Sequence, residues 1–369
     1  MRRRLYCDAL IVILACLSFS FLVFRNEVAA DWQETWNKVV AGAREEGKLV
    51  IYSSMGPPTR KGIARAMAEK YGVTAEFVSA RPREYVQRIL SERRAGLFHG
   101  DVSLSGTGDI TPRLKPAKAL ESLDSALILP EVLDKKVWWG GNHLWVDKEH
   151  TQVCFVAKPQ VGVTINTNLV KPEEIRSYKD LLDPKWKGKI LQDDPTLGGG
   201  GSAWVFTLVE GIMDMDYLRE FINQKPVIAM DRRLGVEWVA RGKYPIGIAL
   251  KPEIVFDFIR AGAPIRFVEM VEGTYLTAGG GCVSLLNKAP HPNAAKVFIN
   301  WILGKEGGRI YCETYGSQCA RNDIPTDFLP PEMVRKPVGK YFLNMGEELS
   351  LKEREFIKQI KEMYKPLMQ

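Results

Sequence analysis

Apolar and polar positions change period repeatedly along the chain, and the changes mark out its elements. "DWQETWNKVVAGAREEG", residues 31–47, has apolar residues at helical spacing and stops on a glycine. "KLVIYSS" then predicts a strand, "TRKGIARAMAEKYG" a helix, "VTAEFVSA" a strand, "PREYVQRILSERRAG" a helix and "DVSLSGTGD" a strand with a glycine-rich end. Strand and helix alternating in this way predict an α/β fold, with a parallel sheet covered by helices. Ligands of such sheets bind beyond the carboxyl ends of the strands. All three ends here carry small or polar residues: Ser53 and Ser54, then Ser79 and Arg81, then Ser105, Gly106 and Thr107. Three such ends in series read as one wall of a pocket. In the first of them, "SSMGPP" combines two hydroxyls with free turn amides, and Pro57 and Pro58 sit where a helix's first turn tolerates a missing N–H.

The middle of the chain has a different rhythm. "TQVCFVAKPQVGVTINTNLV" is strand-like and long, is broken at Lys158 and Pro159, and can run out of one lobe into another. After the turn-rich "YKDLLDPKWKGKILQDDP", residues Gly198 to Gly201 lead through Ser202 into an apolar helix. A polyglycine corner of this kind exposes several N–H groups at the positive end of a helix dipole, which suits an anion. It is not a phosphate-binding P-loop, because the Lys-Ser/Thr pair is missing. "GVEWVARGKYPIGIALKPEIVFDFIRAGAPIRFVE" predicts helix, strand, helix, strand; "TYLTAGGGCVSLL" predicts a second glycine-broken strand. One helix is expected over "HPNAAKVFINWILGKEGGRIYCE" and another over the tail "LSLKEREFIKQIKEMYKPL".

The N-terminus changes the picture of where the protein works. A basic start, the apolar run "ALIVILACLSFSFLVF" and the small residues of "RNEVAA" predict a signal peptide over 1–30, cleaved after Ala30; an uncleaved anchor is the alternative. The net charge is +7, of which the first thirty residues supply +2, and the remaining charges are interspersed rather than clustered. Nucleic acid is therefore not an expected partner. Cys154, Cys282, Cys312 and Cys319 remain after cleavage, and an oxidising compartment permits either disulfides or buried thiols. Of the histidines, His99, His143, His150 and His291, none stands at a triad or metal-ligand spacing, and no enzyme is expected.

In their order along residues 31–320, "KLVIYSS", "GDVSLSGTGD", "VGVTINTNLV", "YKDLLDPKWKGKI", "DDPTLGGGGSAWVFTLV", "VARGKYPIGIAL" and "HPNAAKVFINWILGKEGG" resemble a known family. It is that of the bacterial periplasmic solute-binding proteins of ABC importers, in the group that contains the ferric-ion-binding proteins. The resemblance implies a type II periplasmic binding protein fold, with two mixed sheets in two lobes joined by crossing hinge strands and a ligand held between them. It implies lobes of residues 31–157 with 273–318 and of 158–272 with 319–369, and delivery to an inner-membrane ABC permease. In that topology Cys154–Cys282 and Cys312–Cys319 are the expected bridges, if bridges form.

The resemblance does not carry the iron. Iron binders of this family place a histidine in the first turn, a carboxylate after the third strand and adjacent tyrosines after the "IGIAL"-like strand. Those positions here read Gly56, Gly106 with Thr107, and Lys251-Pro252-Glu253, and no Tyr-Tyr pair occurs in the chain. Hydroxyls, turn amides and a few cations suit a phosphate, phosphonate or carboxylate instead. The expected ligand-binding residues are Ser53, Ser54, Arg81, Ser105, Gly106, Thr107, Gly199, Gly200, Gly201, Ser202, Arg232, Lys251 and Tyr275, with no metal and no cofactor. The expected protein is a periplasmic, monomeric substrate-binding component. A sensing subunit for a two-component histidine kinase is the alternative; ferric-ion binding and an enzyme on the same scaffold stand behind both.

Overall fold

The computed structural model describes residues 32–108, 110–160, 162–197, 200–336 and 339–368. The signal peptide, its cleavage point and Gly199 lie outside the described residues. Strands Lys48–Ser53, Thr74–Ser79 and Val102–Ser105 pair in parallel, in the spatial order second, first, third, so their carboxyl ends share one edge. Cys282–Leu286 then joins antiparallel to Val102–Ser105 and makes the sheet mixed. Val153–Cys154, Leu144–Trp145 and Leu120–Glu121 complete a sheet of seven strands. A second sheet of five strands has the order Val227–Ala229, Ile190–Asp193, Ile246–Ile248, Val163–Asn166, Ile265–Val268. Each sheet carries its own apolar core, around Ile51, Leu104, Val283 and Phe298 in the first and Ile165, Ile190, Trp204 and Phe221 in the second.

The long middle segment differs from the single broken strand that its pattern predicts. It forms three short strands, Val153–Cys154, Lys158–Gln160 and Val163–Asn166, one in each of three sheets. Between the two lobes, Lys158–Gln160 pairs antiparallel with Thr274–Thr277, and Tyr341–Leu343 adds in parallel on the other side. Lys158–Gln160 is an edge of this small sheet, where a proline's missing N–H costs no ladder bond, and Pro159 lies opposite Leu276.

The helix expected over 291–313 is two helices, Pro292–Leu303 and Lys305–Tyr315. Gly304 between them is extended, and Gly307 lies so close to the Trp301 carbonyl that a Cβ would sit 2.1 Å from its oxygen. Cys312 and Cys319 form a disulfide. Cys154 and Cys282 face each other across the ladder as buried thiols with sulfurs 2.7 Å apart, so of the two expected bridges Cys312–Cys319 is present and Cys154–Cys282 is not.

The tail helix is observed at Glu347–Tyr364, and its placement spans both lobes. Phe356, Ile360 and Tyr364 join the core of the second sheet. The helix start faces the first lobe, where the Glu347 amide donates to the Val146 carbonyl at 2.9 Å and its carboxylate meets Lys115 at 2.7 Å.

Candidate functional site

The carboxyl edge of the first sheet is the expected first wall of an interlobe cleft, and most of its polar groups answer to the chain itself. Ser53 is fully buried, its hydroxyl oxygen accepting from the Met55 amide at 3.0 Å, which folds the turn before helix Pro57–Tyr71. Ser54 beside it is exposed. Ser105 is buried, and its hydroxyl has no hydrogen-bond partner. The Gly106 carbonyl accepts from Gln152 Nε2 at 3.3 Å, and Gln152 is itself held by Thr111 at 2.7 Å. Glycine is required at 106, since a Cβ would lie 2.5 Å from the Gly279 carbonyl oxygen. Arg81 is exposed at the start of helix Pro82–Arg94.

The second wall is charged. Helix Gly200–Thr207 starts there, and the Gly201 N–H donates to the Asp193 carboxylate at 3.2 Å. Arg232 is exposed, with its Nε 3.6 Å from the same carboxylate. Burial pushes the Asp193 carboxyl up, against the opposing pull of Arg232 and the Gly201 N–H. The Ser202 hydroxyl donates at 3.0 Å to Glu353, which the tail helix delivers from the far end of the chain. Burial raises the Glu353 carboxyl to about 7, with the Ser202 bond working the other way. Tyr275, on a hinge strand, is fully buried, and its neighbouring charges are Glu353 and Asp193. Lys251 is exposed and precedes helix Pro252–Arg260.

The same tail helix meets the first wall too. Ser350 donates to the Thr107 hydroxyl at 3.4 Å, and Arg354 donates to the Gly108 carbonyl at 3.0 Å. Thr107 and Ser202 are thus one helix apart, through Ser350 and Glu353.

Sequence reasoning missed a buried ion pair on the strand that runs between the lobes. Lys158, on the hinge strand, is 5% exposed and pairs with Glu253 from the first turn of helix Pro252–Arg260. Its ammonium lies 5.8 Å from the centroid of the Tyr315 ring, and the Tyr315 hydroxyl accepts from the Gly280 amide at 3.2 Å. Burial opposes both charges, yet the pair outweighs it: Lys158 is held above its ordinary range and Glu253 below the usual carboxylate range. The signal for Lys158 is the lone charge in the segment "TQVCFVAKPQVGVTINTNLV". Its local pattern, next to Pro159, signals only a break in the strand. Glu253 was noticed only as the absence of a tyrosine.

The other candidate chemistry is committed elsewhere. His143 Nε2 meets the Val132 carbonyl at 2.7 Å, His150 meets Asp124 at 2.8 Å, and His291 meets the buried Asp101 at 2.9 Å. Trp138 is buried in the first core, and Trp145 stacks on His150.

A family model described as bacterial extracellular solute-binding protein matches residues 48–316. A protein of Haemophilus influenzae, described as uncharacterized, is 26% identical over 285 residues, which is 74% of this chain and 77% of its own. Among solved structures, the fold is similar to that of the periplasmic binding protein AfuA from Actinobacillus pleuropneumoniae with fructose-6-phosphate bound. There the identity is 22% and the TM-score 0.64, over 86% of this chain and 98% of that one. It is similar also to Trichodesmium IdiA (FutA) in complex with iron and citrate ligands, at 20% identity and TM-score 0.67, over 86% and 99% of the two chains. These likenesses show the two-lobed periplasmic binding protein fold.

Proposed function

The chain belongs to the bacterial extracellular solute-binding proteins, and from that premise we propose that it is the periplasmic receptor of an ATP-driven importer. It takes a small solute bearing a phosphate, phosphonate or carboxylate group into the interlobe cleft and presents it to an inner-membrane permease. One observation carries the anionic reading: at the second wall and on the crossing strand, the donors are held by the chain's own carboxylates. Asp193 takes the Gly201 N–H and Arg232, Glu353 takes the Ser202 hydroxyl, and Glu253 takes Lys158. Donors arranged for resident carboxylates suit an incoming oxyanion by the same charge-assisted bonds. Ser54, Ser105 and the turn at Gly106 and Thr107 supply further polar contacts from the first wall. Arg81, Lys251 and Tyr275 complete the expected lining at its margins, together with the glycine corner at 199 and 200.

Ferric ion fits this lining poorly, because the positions that would supply phenolates and imidazole hold Glu253, Pro252 and Gly56. Binding without chemistry is the matching reading for the histidines, each of the three described above being partnered by a carbonyl or carboxylate.

A thermal-shift screen tests the proposal, since a ligand selective for the native state raises its melting temperature by mass action. Sugar phosphates, aminophosphonates and small carboxylates are the arms expected to score, and ferric salts are expected to leave the protein colourless. Gly200→Asp places a second carboxylate beside Asp193, whose oxygen is 3.7 Å from the new Cβ, and should weaken any anion that scores. Stabilisation by neutral or cationic solutes alone, or a phenolate–iron band at stoichiometric iron, would overturn the reading.

A further inference from the structure

Buried cations in this protein fall into two kinds. Arg321, with a side chain 3% exposed, spends its guanidinium fully: two bonds reach Asp323 at 2.8 and 3.0 Å, and two more reach the Glu131 and Leu303 carbonyls at 2.8 and 3.2 Å. Arg335 is likewise buried against the Ala157 and Cys319 carbonyls. These are structural cations, with their donors matched to fixed acceptors.

Lys158 is of the other kind. An ammonium has three donors, and one oxygen of Glu253 is the acceptor found for it, with the face of Tyr315 alongside. The second oxygen of Glu253 is buried with no hydrogen-bond partner. A buried ion pair satisfied on one side only is costly to keep and does little for stability. Its position is equally telling. Lys158 stands on the strand that crosses between lobes, Glu253 on the first turn of a second-lobe helix, and Tyr315 at the end of a first-lobe helix. Beside them the chain narrows to backbone: a Cβ on Gly279 would lie 3.6 Å from the Lys158 stem, and Gly106 abuts the Gly279 carbonyl. The unpartnered Ser105 hydroxyl belongs to the same strand end as Gly106.

We propose that Lys158 receives the oxyanion group of the solute and that Glu253 is its resident counter-ion, exchanged for that group when the solute enters. This rests on the anionic reading above and deepens it. Released from Lys158, the Glu253 carboxylate becomes an acceptor facing the rest of the ligand. The solute class is therefore an oxyanion that also carries hydroxyl or amine donors.

Isothermal titration calorimetry with inorganic phosphate, fructose 6-phosphate and citrate tests the exchange in the wild type, Glu253→Gln and Lys158→Met, each checked for folding by circular dichroism. At least one probe is expected to bind the wild type. Glu253→Gln should bind that probe about tenfold more tightly, because Lys158 no longer has a competing carboxylate while the side-chain amide oxygen still accepts from the ligand's donors, and Lys158→Met should bind it at least tenfold more weakly. Fructose 6-phosphate binding where inorganic phosphate and citrate do not would assign the second acceptor role to Glu253 as well. If Lys158→Met fails to fold, Glu253→Gln alone decides, since loss of a merely structural ion pair does not tighten binding. Unchanged or weaker binding by Glu253→Gln, in a protein that still binds a probe, overturns the exchange and leaves the anionic reading standing. Absence of binding by all three probes, to wild type and Glu253→Gln alike, overturns both.

Discussion

The two walls of the cleft are built on the same principle, strand ends at the edge of a sheet, and are finished in opposite ways. The first is mostly neutral and made largely of backbone, with Arg81 exposed at its margin, Ser53 folded into its own turn and Gly106 pressed against Gly279. The second is charged and already neutralised, with Asp193 between the Gly201 amide and Arg232 and with Glu353 on Ser202. A neutral wall fixes shape at its buried positions, Ser53 and Gly106, which cannot be changed without moving main chain. A charged wall fixes preference, so its residues can be changed with the fold intact.

The sharpest way to break that contrast is to put bulk into the neutral wall. Gly106→Val has no free space to enter, and overpacking of this kind costs about 1–3 kcal/mol, which should appear as a lowered melting temperature in circular dichroism. The charged wall should respond more gently. Asp193→Asn keeps an acceptor for the Gly201 amide while removing the buried charge and freeing Arg232, so urea denaturation should show a change of less than about 1 kcal/mol. The same variant should bind an anionic probe several-fold more tightly, measured by calorimetry.

Glu353 gives the charged wall a pH dependence of known sign. Its folded carboxyl is raised to about 7 by burial, while in the unfolded chain it titrates at about 4.3. The native state therefore holds the proton more tightly, and the contribution is complete below the unfolded value and is lost as pH rises through about 7. The groups facing it are the Ser202 hydroxyl, Tyr275 and, around the same tyrosine, Asp193. Glu353→Gln should flatten the fall in stability between pH 5.5 and pH 8 relative to wild type, read from urea denaturation at the two values. The smallest effect on folding is expected at Ser54, which is exposed. Ser54→Ala should leave stability within about 0.5 kcal/mol, yet weaken an anionic ligand about tenfold if its hydroxyl makes one charge-assisted bond. A stability loss without a binding loss would make the first wall structural throughout.

Much of the fold was legible because period alone encodes it. The parallel strands Lys48–Ser53, Thr74–Ser79 and Val102–Ser105 alternate with amphipathic helices, and glycine, proline and small polar residues punctuate them. What could not be read was which groups would meet across long separations. Asp193 lies eight residues from Gly201, yet the apparent openness of the glycine corner concealed that it was already capped. Glu353 comes from a helix whose charges look like an ordinary solvated face, 151 residues from Ser202. Lys158 and Glu253 are separated by 95 residues, and each was read by its local role, as a breaker and as a substitution. Local pattern shows where a chain turns; it does not show which charge will find which partner.

The helix Glu347–Tyr364 lies beyond residue 316, where the family match ends, and it holds Thr107 and Gly108 of one lobe while seated on the core of the other. Any movement that parts the lobes must peel it from one side. Apparent affinity is the intrinsic affinity scaled by the fraction of molecules competent to bind. A substitution on its first-lobe face, such as Arg354→Ala, is therefore expected to shift the solute concentration at which the receptor fills, as calorimetry would read.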